Sequence, residues 1–439
     1  MRTKKAIGID IGTTSICLVS YCVASGKTEA VMQAENAFCP GTFRQDPQQI
    51  YLCVKEMLDR MIEETGNADV IGVSSQMHGI LYLDKSGNAV TPYYTWKTEC
   101  GDQPFKEDTY AKWLSDKTGY AMYTGYGSVT HFFLQETNQI PEEAAVFANI
   151  GDYLVMRLCD LKLPQMHSSI AASMGGFRLE VGSFDFEKLQ EAGINTAYYP
   201  KVNGKVEIAG MYQNIPVVWA VGDNQASFYA AAGEADEMLS VNVGTGSQVS
   251  FFDRTLLEVK TGEIRPFTER GYLYVQASVN GGKVYERLAE FFRDSVRLFT
   301  GIRVDKAEIY QKMEEAALEK PETELRVFPL LYGSRTGKES AGTVEGLTAE
   351  NFYPADVIRA YTAGMARELC EAYRQFPEEL RRGKTTIVAS GNGIRRNRIL
   401  RQEIERAFGM PVILRKVKEE AAAGAAMWAW QETKTRNPG

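Results

Sequence analysis

Histidine is scarce, with three in 439 residues, so a histidine-rich metal centre is not expected. The seven cysteines (Cys17, Cys22, Cys39, Cys53, Cys100, Cys159 and Cys370) are odd in number and scattered, with no Cys-x-x-Cys. That pattern excludes a disulfide framework and a zinc site, and predicts reduced thiols in a cytoplasmic setting. No apolar run is long enough to span a bilayer. The basic start Met1-Arg2-Thr3-Lys4-Lys5 is followed by Asp10 and Gly12, which interrupt what would be the apolar core of a signal peptide. Positive charge is also in deficit: 49 Lys and Arg stand against 56 Asp and Glu, giving a net charge of −7 and a sequence pI near 5.4. That balance argues against a nucleic-acid partner or an anionic membrane surface. What is present, 44% apolar and 24% charged residues, describes a globular chain of two or more domains.

The most informative stretch is Ile7-Gly8-Ile9-Asp10-Ile11-Gly12-Thr13-Thr14-Ser15. Its apolar residues predict a buried strand over Ala6–Ile11, a tight Gly-Thr-Thr turn, and a second strand over Ile16–Tyr21. A glycine followed by small hydroxyl residues leaves N–H and O–H groups in a concave loop that suits a phosphate. Asp10 occupies a strand interior, where a carboxylate is costly unless paired or beside a metal. An ordinary hairpin accounts for this stretch equally well until its second copy is noticed. Val241-Asn242-Val243-Gly244-Thr245-Gly246-Ser247 repeats the order 232 residues further on: an apolar–polar–apolar triplet, Gly-Thr, then Ser. Two similar halves, 1–232 and 233–439, each opening with such a hairpin, would clamp one polyphosphate between them.

The rest of the chain alternates strands and helices, as an α/β fold requires. Val31–Ala37 reads as a strand, and Asp46-Pro47 opens a helix through Glu63. A buried strand, Val70–Ser74, runs into the polar cluster Gln76-Met77-His78-Gly79. Loops at strand C-termini are where α/β folds hold ligands, so Gln76 and His78 suit sugar hydroxyls and Met77 an apolar sugar face. Trp96 suits sugar stacking if exposed, although a core Trp is the commoner case. Gly101–Phe147 is hard to read, and Ser168–Ala172 shows no chemistry beyond a structural role. Ile215–Val221 is a strand that ends at Asp223, with a small-residue helix over Ala226–Ala232. Asp223 reads readily as a helix N-cap, a favoured place for Asp; the functional alternative is a catalytic carboxylate whose pKa the helix N-terminus would depress.

In the second half Gly271–Ala277 is a strand, and Asn280-Gly281-Gly282 opens a helix over Lys283–Phe299, permitting close approach of a ligand. The strand Thr385–Ala389, the loop Gly391-Asn392-Gly393 and a helix over Arg395–Phe408 suit a nucleoside, and Glu419–Trp430 is a closely packed final helix. Gly333–Lys338 is one residue short of a Walker A loop, and Gly391-x-Gly393 lacks the third glycine of a dinucleotide fingerprint.

Taken together, Asp10–Thr14, Ser75–Gly79, Gly222-Asp223-Asn224, Val243–Ser247 and Ser390–Gly393 with Asn397 resemble the FGGY family of carbohydrate kinases over nearly the whole chain. The resemblance implies two duplicated actin-like ATPase (ribonuclease H-like) domains flanking an interdomain cleft. The N-terminal one would bind sugar and the C-terminal one nucleotide. It implies ATP, Mg²⁺ and transfer of the γ-phosphoryl group to a terminal hydroxyl of an open-chain ketose, by a monomer or homodimer. Asp223 would be the general base, and Asp10 with Asp223 would hold the metal. Gly12, Thr13, Thr14, Gly244, Thr245, Gly246 and Ser247 would cradle phosphates. Gly281, Gly391 and Asn392 would lie near adenosine, and Gln76, Met77, His78, Trp96, Asp223 and Asn224 near the sugar. Ser278–Gly282, Asp223–Ser227 and Arg401–Phe408 match the sedoheptulose-phosphorylating branch best, with the xylulokinases second.

One run departs from the family: Thr98 stands where an Asp is usual after the Trp, and Cys100 where an Arg is usual. The loss of charge and bulk there would favour a longer sugar. It also keeps open a pentulose kinase and, from another class, a catalytically inert sugar- or nucleotide-binding regulator. An actin- or chaperone-like ATPase would leave Gln76–Gly79 without a purpose.

Overall fold

The computed structural model of the protein describes residues 4–66, 68–320, 322–333, 341–415, 417 and 419–436. The chain divides into two compact units. The first comprises 1–233, 265–271 and 417–439, and the second 234–264 and 272–416.

In the first unit the buried residues of Lys5–Ile11 make it a central strand. It pairs antiparallel with Ser15–Cys22, which pairs antiparallel with Lys27–Glu35. On its other side it pairs parallel with Val70–Ser75. The helix Pro47–Thr65 joins these strands, capped by Asp46, whose carboxylate accepts the N–H groups of Gln48 and Gln49. Val70–Ser75 pairs in turn with two short strands, Ile215–Val218 and Val221–Gly222, where the sequence reads as one. Its end, Ser75, stands opposite Gly222, so the loop starting at Gln76 and the helix Asp223–Ala232 leave the sheet at adjacent points.

The C-terminal helix, Glu420–Arg436, packs on this sheet and belongs to the first compact unit. The reason lies in three glycines. Gly8 and Gly72 are partners across the sheet, and a Cβ on them would lie 1.8 Å from the Ala422 carbonyl oxygen and 2.1 Å from that of Ala425. A Cβ on Gly424 would lie 1.8 Å from the carbonyl oxygen of Ala226, on the helix Asp223–Ala232. Backbone-to-backbone contact at all three places holds the alanine-rich helix to the first unit.

The second unit repeats the strand plan. Met238–Val243 pairs antiparallel with Ser247–Asp253, which pairs antiparallel with Tyr272–Ser278. Met238–Val243 also runs parallel to Thr386–Ser390, which is followed by the parallel strand Val412–Leu414. Helices Gly282–Thr300, Lys306–Glu319, Pro354–Arg374 and Arg398–Phe408 complete it. The expected strand 31–37 is Lys27–Glu35, and the final helix runs on to Arg436. Residues 334–338 of the rejected Walker-like stretch lie outside the described residues.

Candidate active site

Asp10 and Ser74 are register partners on parallel strands, and the Ser74 hydroxyl donates to Asp10 Oδ1 at 2.7 Å. Val221 is Ser74's partner on the other side, so Asp223 follows two strands away, about 10 Å across the sheet. Burial, then the charge of Asp223, pushes the Asp10 carboxyl up to about 7, against the pull of the Ser74 hydrogen bond. Burial raises Asp223 to about 6, although its carboxylate accepts the Asn224 N–H at 2.7 Å and Arg265 lies near. The expected depression of Asp223 by the helix N-terminus is therefore reversed: desolvation outweighs the helix and the cation. Asp223 is the first residue of the helix and Gly222 its N-cap.

The second unit carries the matching pair in neutral form. Asn242 and Ser390 are register partners, and Asn242 Nδ2 donates to Ser390 Oγ at 2.9 Å. The duplication thus extends to a polar side chain bonded across the central parallel strands, a carboxyl in one unit and an amide in the other.

The turn Gly12–Thr14 is held by its carbonyls. Asn36 Nδ2 donates to Gly12 O at 2.8 Å, Gln45 Nε2 to Thr13 O at 2.9 Å, and Asn36 N–H to Thr14 O at 3.0 Å. In trans peptides N–H and C=O point oppositely, so the Thr13 and Thr14 N–H groups face away from these anchors. That is the geometry of an anion cradle. Trp96 joins the turn, its Nε1 donating to Thr13 Oγ1 at 2.9 Å. Trp96 is 44% exposed, as a stacking platform requires.

The loop after Val70–Ser75 is only partly presented. Gln76 is 1% exposed and donates to Gln45 Oε1 at 2.8 Å, and Met77 is 6% exposed beneath Gly222. Both side chains are buried, and Gln76 Oε1 has no hydrogen-bond partner among the described residues. His78, at φ 75, is half-buried. Its Nδ1–H donates to Ser173 O at 2.6 Å, because a carbonyl can only accept, and its ring stacks on Tyr126. Asn224 Oδ1 accepts from Arg265 at 2.8 Å. Thr98 and Cys100 are both buried, and burial raises the Cys100 thiol to about 11. The Thr98 hydroxyl is buried with no hydrogen-bond partner.

In the second unit a cavity of about 810 Å³ is walled by Gly244 and Thr245 on the hairpin, Gly282 and Lys283 at a helix start, and Gly391–Gly393. Tyr285 and Tyr310, stacked with ring planes 7° apart, Arg396 and Asn397 also line it. A Cβ on Gly244 would meet nothing closer than Asn242 Oδ1 at 3.8 Å, so the space over this turn is open to a ligand. Gly246, Ser247 and Gly281 bring the hairpin and the helix start together. A Cβ on Gly281 would lie 2.1 Å from Gly246, and Ser247 Oγ donates to Asn280 O at 3.0 Å. The glycines at this helix start admit the chain's own hairpin. Gly391, at φ 83, likewise packs against Val243. Sequence reasoning missed Lys283, Tyr285 and Tyr310, although Lys283 directly follows the Gly-Gly pair it had noted.

Paired ribonuclease H-like units, an aspartate on the central strand of one, and a glycine-walled cavity in the other define an actin-like ATPase fold equipped for phosphoryl transfer. Sequence profiles of the FGGY family of carbohydrate kinases match residues 5–230 (N-terminal domain) and 239–431 (C-terminal domain), and the chain belongs to that family. It is a carbohydrate kinase, a phosphotransferase. It is 28% identical to human sedoheptulokinase, over 96% of each chain. It is 24% identical to a Bacillus cereus glycerol kinase, over 97% of this chain and 90% of that one. Among solved structures, a xylulose kinase from Rhodospirillum rubrum superposes with a TM-score of 0.82 at 17% identity, over 99% of this chain and 90% of that one. A gluconate kinase from Lactobacillus acidophilus gives 0.79 at 21%, over 100% and 91%. Among the described residues no helix is long and apolar enough to cross a membrane, and no three His, Cys, Asp or Glu side chains group to hold a metal.

Proposed function

We propose that the protein transfers the γ-phosphoryl group of ATP to the terminal hydroxyl of an open-chain ketose, with sedoheptulose preferred over xylulose. The observation that carries this reading is the pair Asp10 and Asp223, at the ends of two strands of one sheet with a single strand between them, beside an amide-lined turn. Asp223 accepts the hydroxyl proton as the sugar oxygen bonds to the γ-phosphorus and the bond to the β-phosphate oxygen breaks, releasing ADP. A carboxyl raised to about 6 is a better base than an ordinary one and is still ionised at neutral pH. Two carboxylates spaced across the sheet in this way would hold Mg²⁺ through its own water molecules, several of which that ion usually keeps. Bound there, it would neutralise phosphate charge, the main requirement of this chemistry.

In this reading Gly12–Thr14 and Gly244-Thr245 receive phosphates, and the cavity at Tyr285, Asn392 and Asn397 receives the nucleoside. His78, Trp96 and Asn224 meet the sugar, while Gln76 and Met77 hold His78 in place. The preference for sedoheptulose rests on the similarity to the human sedoheptulokinase. The Thr98 and Cys100 replacements lend it little, because both side chains are buried. A cytoplasmic enzyme acting as a monomer or homodimer fits this role. A binding protein without activity is the second reading, and the retained Asp10 and Asp223 weigh against it. ADP release with sedoheptulose, xylulose, ribulose, fructose and glycerol tests the proposal. Turnover with ketoses, highest kcat/KM for sedoheptulose, is expected; turnover with glycerol alone would contradict it.

A further inference from the structure

One buried segment contacts both of the loops that carry reacting groups. The short helix Ser168–Ala171 and the turn after it lie in the first unit, where the sequence showed no chemistry. Ser169 is fully buried, and its Oγ accepts the Gly222 N–H, immediately before Asp223, at 3.0 Å. That hydroxyl lies 2.8 Å from His167 Nδ1 and donates to it, since Nδ1 also accepts the Ser169 N–H at 3.2 Å. The Ser169 carbonyl receives Gln225 Nε2 at 3.4 Å, two residues after Asp223. The turn bearing Asp223 is therefore gripped on both sides.

Ser173 grips the other loop. Its Oγ accepts the His78 N–H at 3.1 Å, and its carbonyl accepts His78 Nδ1–H at 2.6 Å. The second bond fixes the histidine tautomer, making Nε2 the acceptor nitrogen of the ring. The first supports a left-handed backbone at φ 75, which a non-glycine residue keeps only when its surroundings impose it. Ser169 lies in the short helix and Ser173 in the turn that follows it, where the Ser173 N–H and hydroxyl both donate to Ile170 O.

We infer that Ser169 and Ser173 are positioning residues that together set the separation between the Asp223 carboxylate and the His78 imidazole. The segment acts as a ruler of fixed length: Ser169 places the base and Ser173 places the sugar-orienting ring. The inference rests on the ketose-kinase reading. It adds that alignment of acceptor and base is decided by a segment that touches neither ligand.

Steady-state kinetics on Ser169→Ala and Ser173→Ala, varying ketose and ATP separately, test it. Ser173→Ala raises KM for the ketose by roughly five- to thirtyfold, as expected for a lost hydrogen bond to a buried N–H, with kcat and KM for ATP unchanged. Ser169→Ala lowers kcat by a similar factor and leaves the ketose KM unchanged. If an alanine variant does not fold, the cysteine variant, which keeps the volume and loses the strong hydrogen bond, shows the same split. Variants with lowered melting temperatures and wild-type kinetic constants would overturn the proposal and leave the kinase reading intact. A folded wild-type protein that phosphorylates no ketose would overturn both.

Discussion

Asp10 and Asp223 are where stability and chemistry pull in opposite directions. Asp223→Ala is expected to lower kcat by roughly 10²–10⁴-fold, the range for losing a general base, with the melting temperature near wild type. The rate should rise with pH through about 6, as Asp223 loses its proton. For stability the sign is reversed. A folded-state pKa of about 7 at Asp10, above the ordinary 3.8, means the folded chain binds more protons than the unfolded chain between those values. Stability therefore falls as pH rises across that window. Asp10→Asn keeps a partner for Ser74 and removes the charge, so it should melt higher than wild type at pH 8, converge with it near pH 4, and lose activity. Thermal melts at the two pH values check this. Asp10 was legible because a carboxylate inside an apolar strand is conspicuous. The upward shift at Asp223 was not, because sequence reveals a helix start but not the depth of burial that outweighs it.

Glycines separate elements that bind ligand from elements that bind each other. At Gly244 a side chain would enter open space, so Gly244→Val should fold normally and weaken ATP by roughly tenfold to a hundredfold, the worth of a lost bond to a charged phosphate. Calorimetric titration with ATP measures it. At Gly72 a side chain would strike the Ala425 carbonyl, so Gly72→Val should destabilise by about 3 kcal/mol or more and displace the final helix. Chemical denaturation checks that. Both glycines read alike in the sequence. Strand and helix positions were legible from apolar periodicity, and both hairpins from their repeated Gly-Thr. What periodicity cannot show is which surface an alanine-rich helix seeks, and here Gly8 and Gly72 draw it back to the first unit. The same limit hid the work of Gly281, whose neighbour is the chain's own hairpin, and of Ser169 and Ser173, whose partners are distant in sequence.

At the scale of the whole molecule, a duplicated sheet carries a carboxyl–hydroxyl pair in one unit and an amide–hydroxyl pair in the other. Asp10 with Ser74 and Asn242 with Ser390 occupy equivalent places, and the first unit adds the carboxyl of Asp223 two strands from Asp10. In the proposed reading the first unit carries the chemistry and the second the nucleotide pocket. The most direct test is the ³¹P NMR spectrum of the protein incubated with ATP, Mg²⁺ and sedoheptulose. A new sugar phosphomonoester signal growing one-for-one with ADP is expected, and no such signal with Asp223→Ala. ADP accompanied only by inorganic phosphate, or a phosphomonoester formed equally by Asp223→Ala, would contradict the proposed reading.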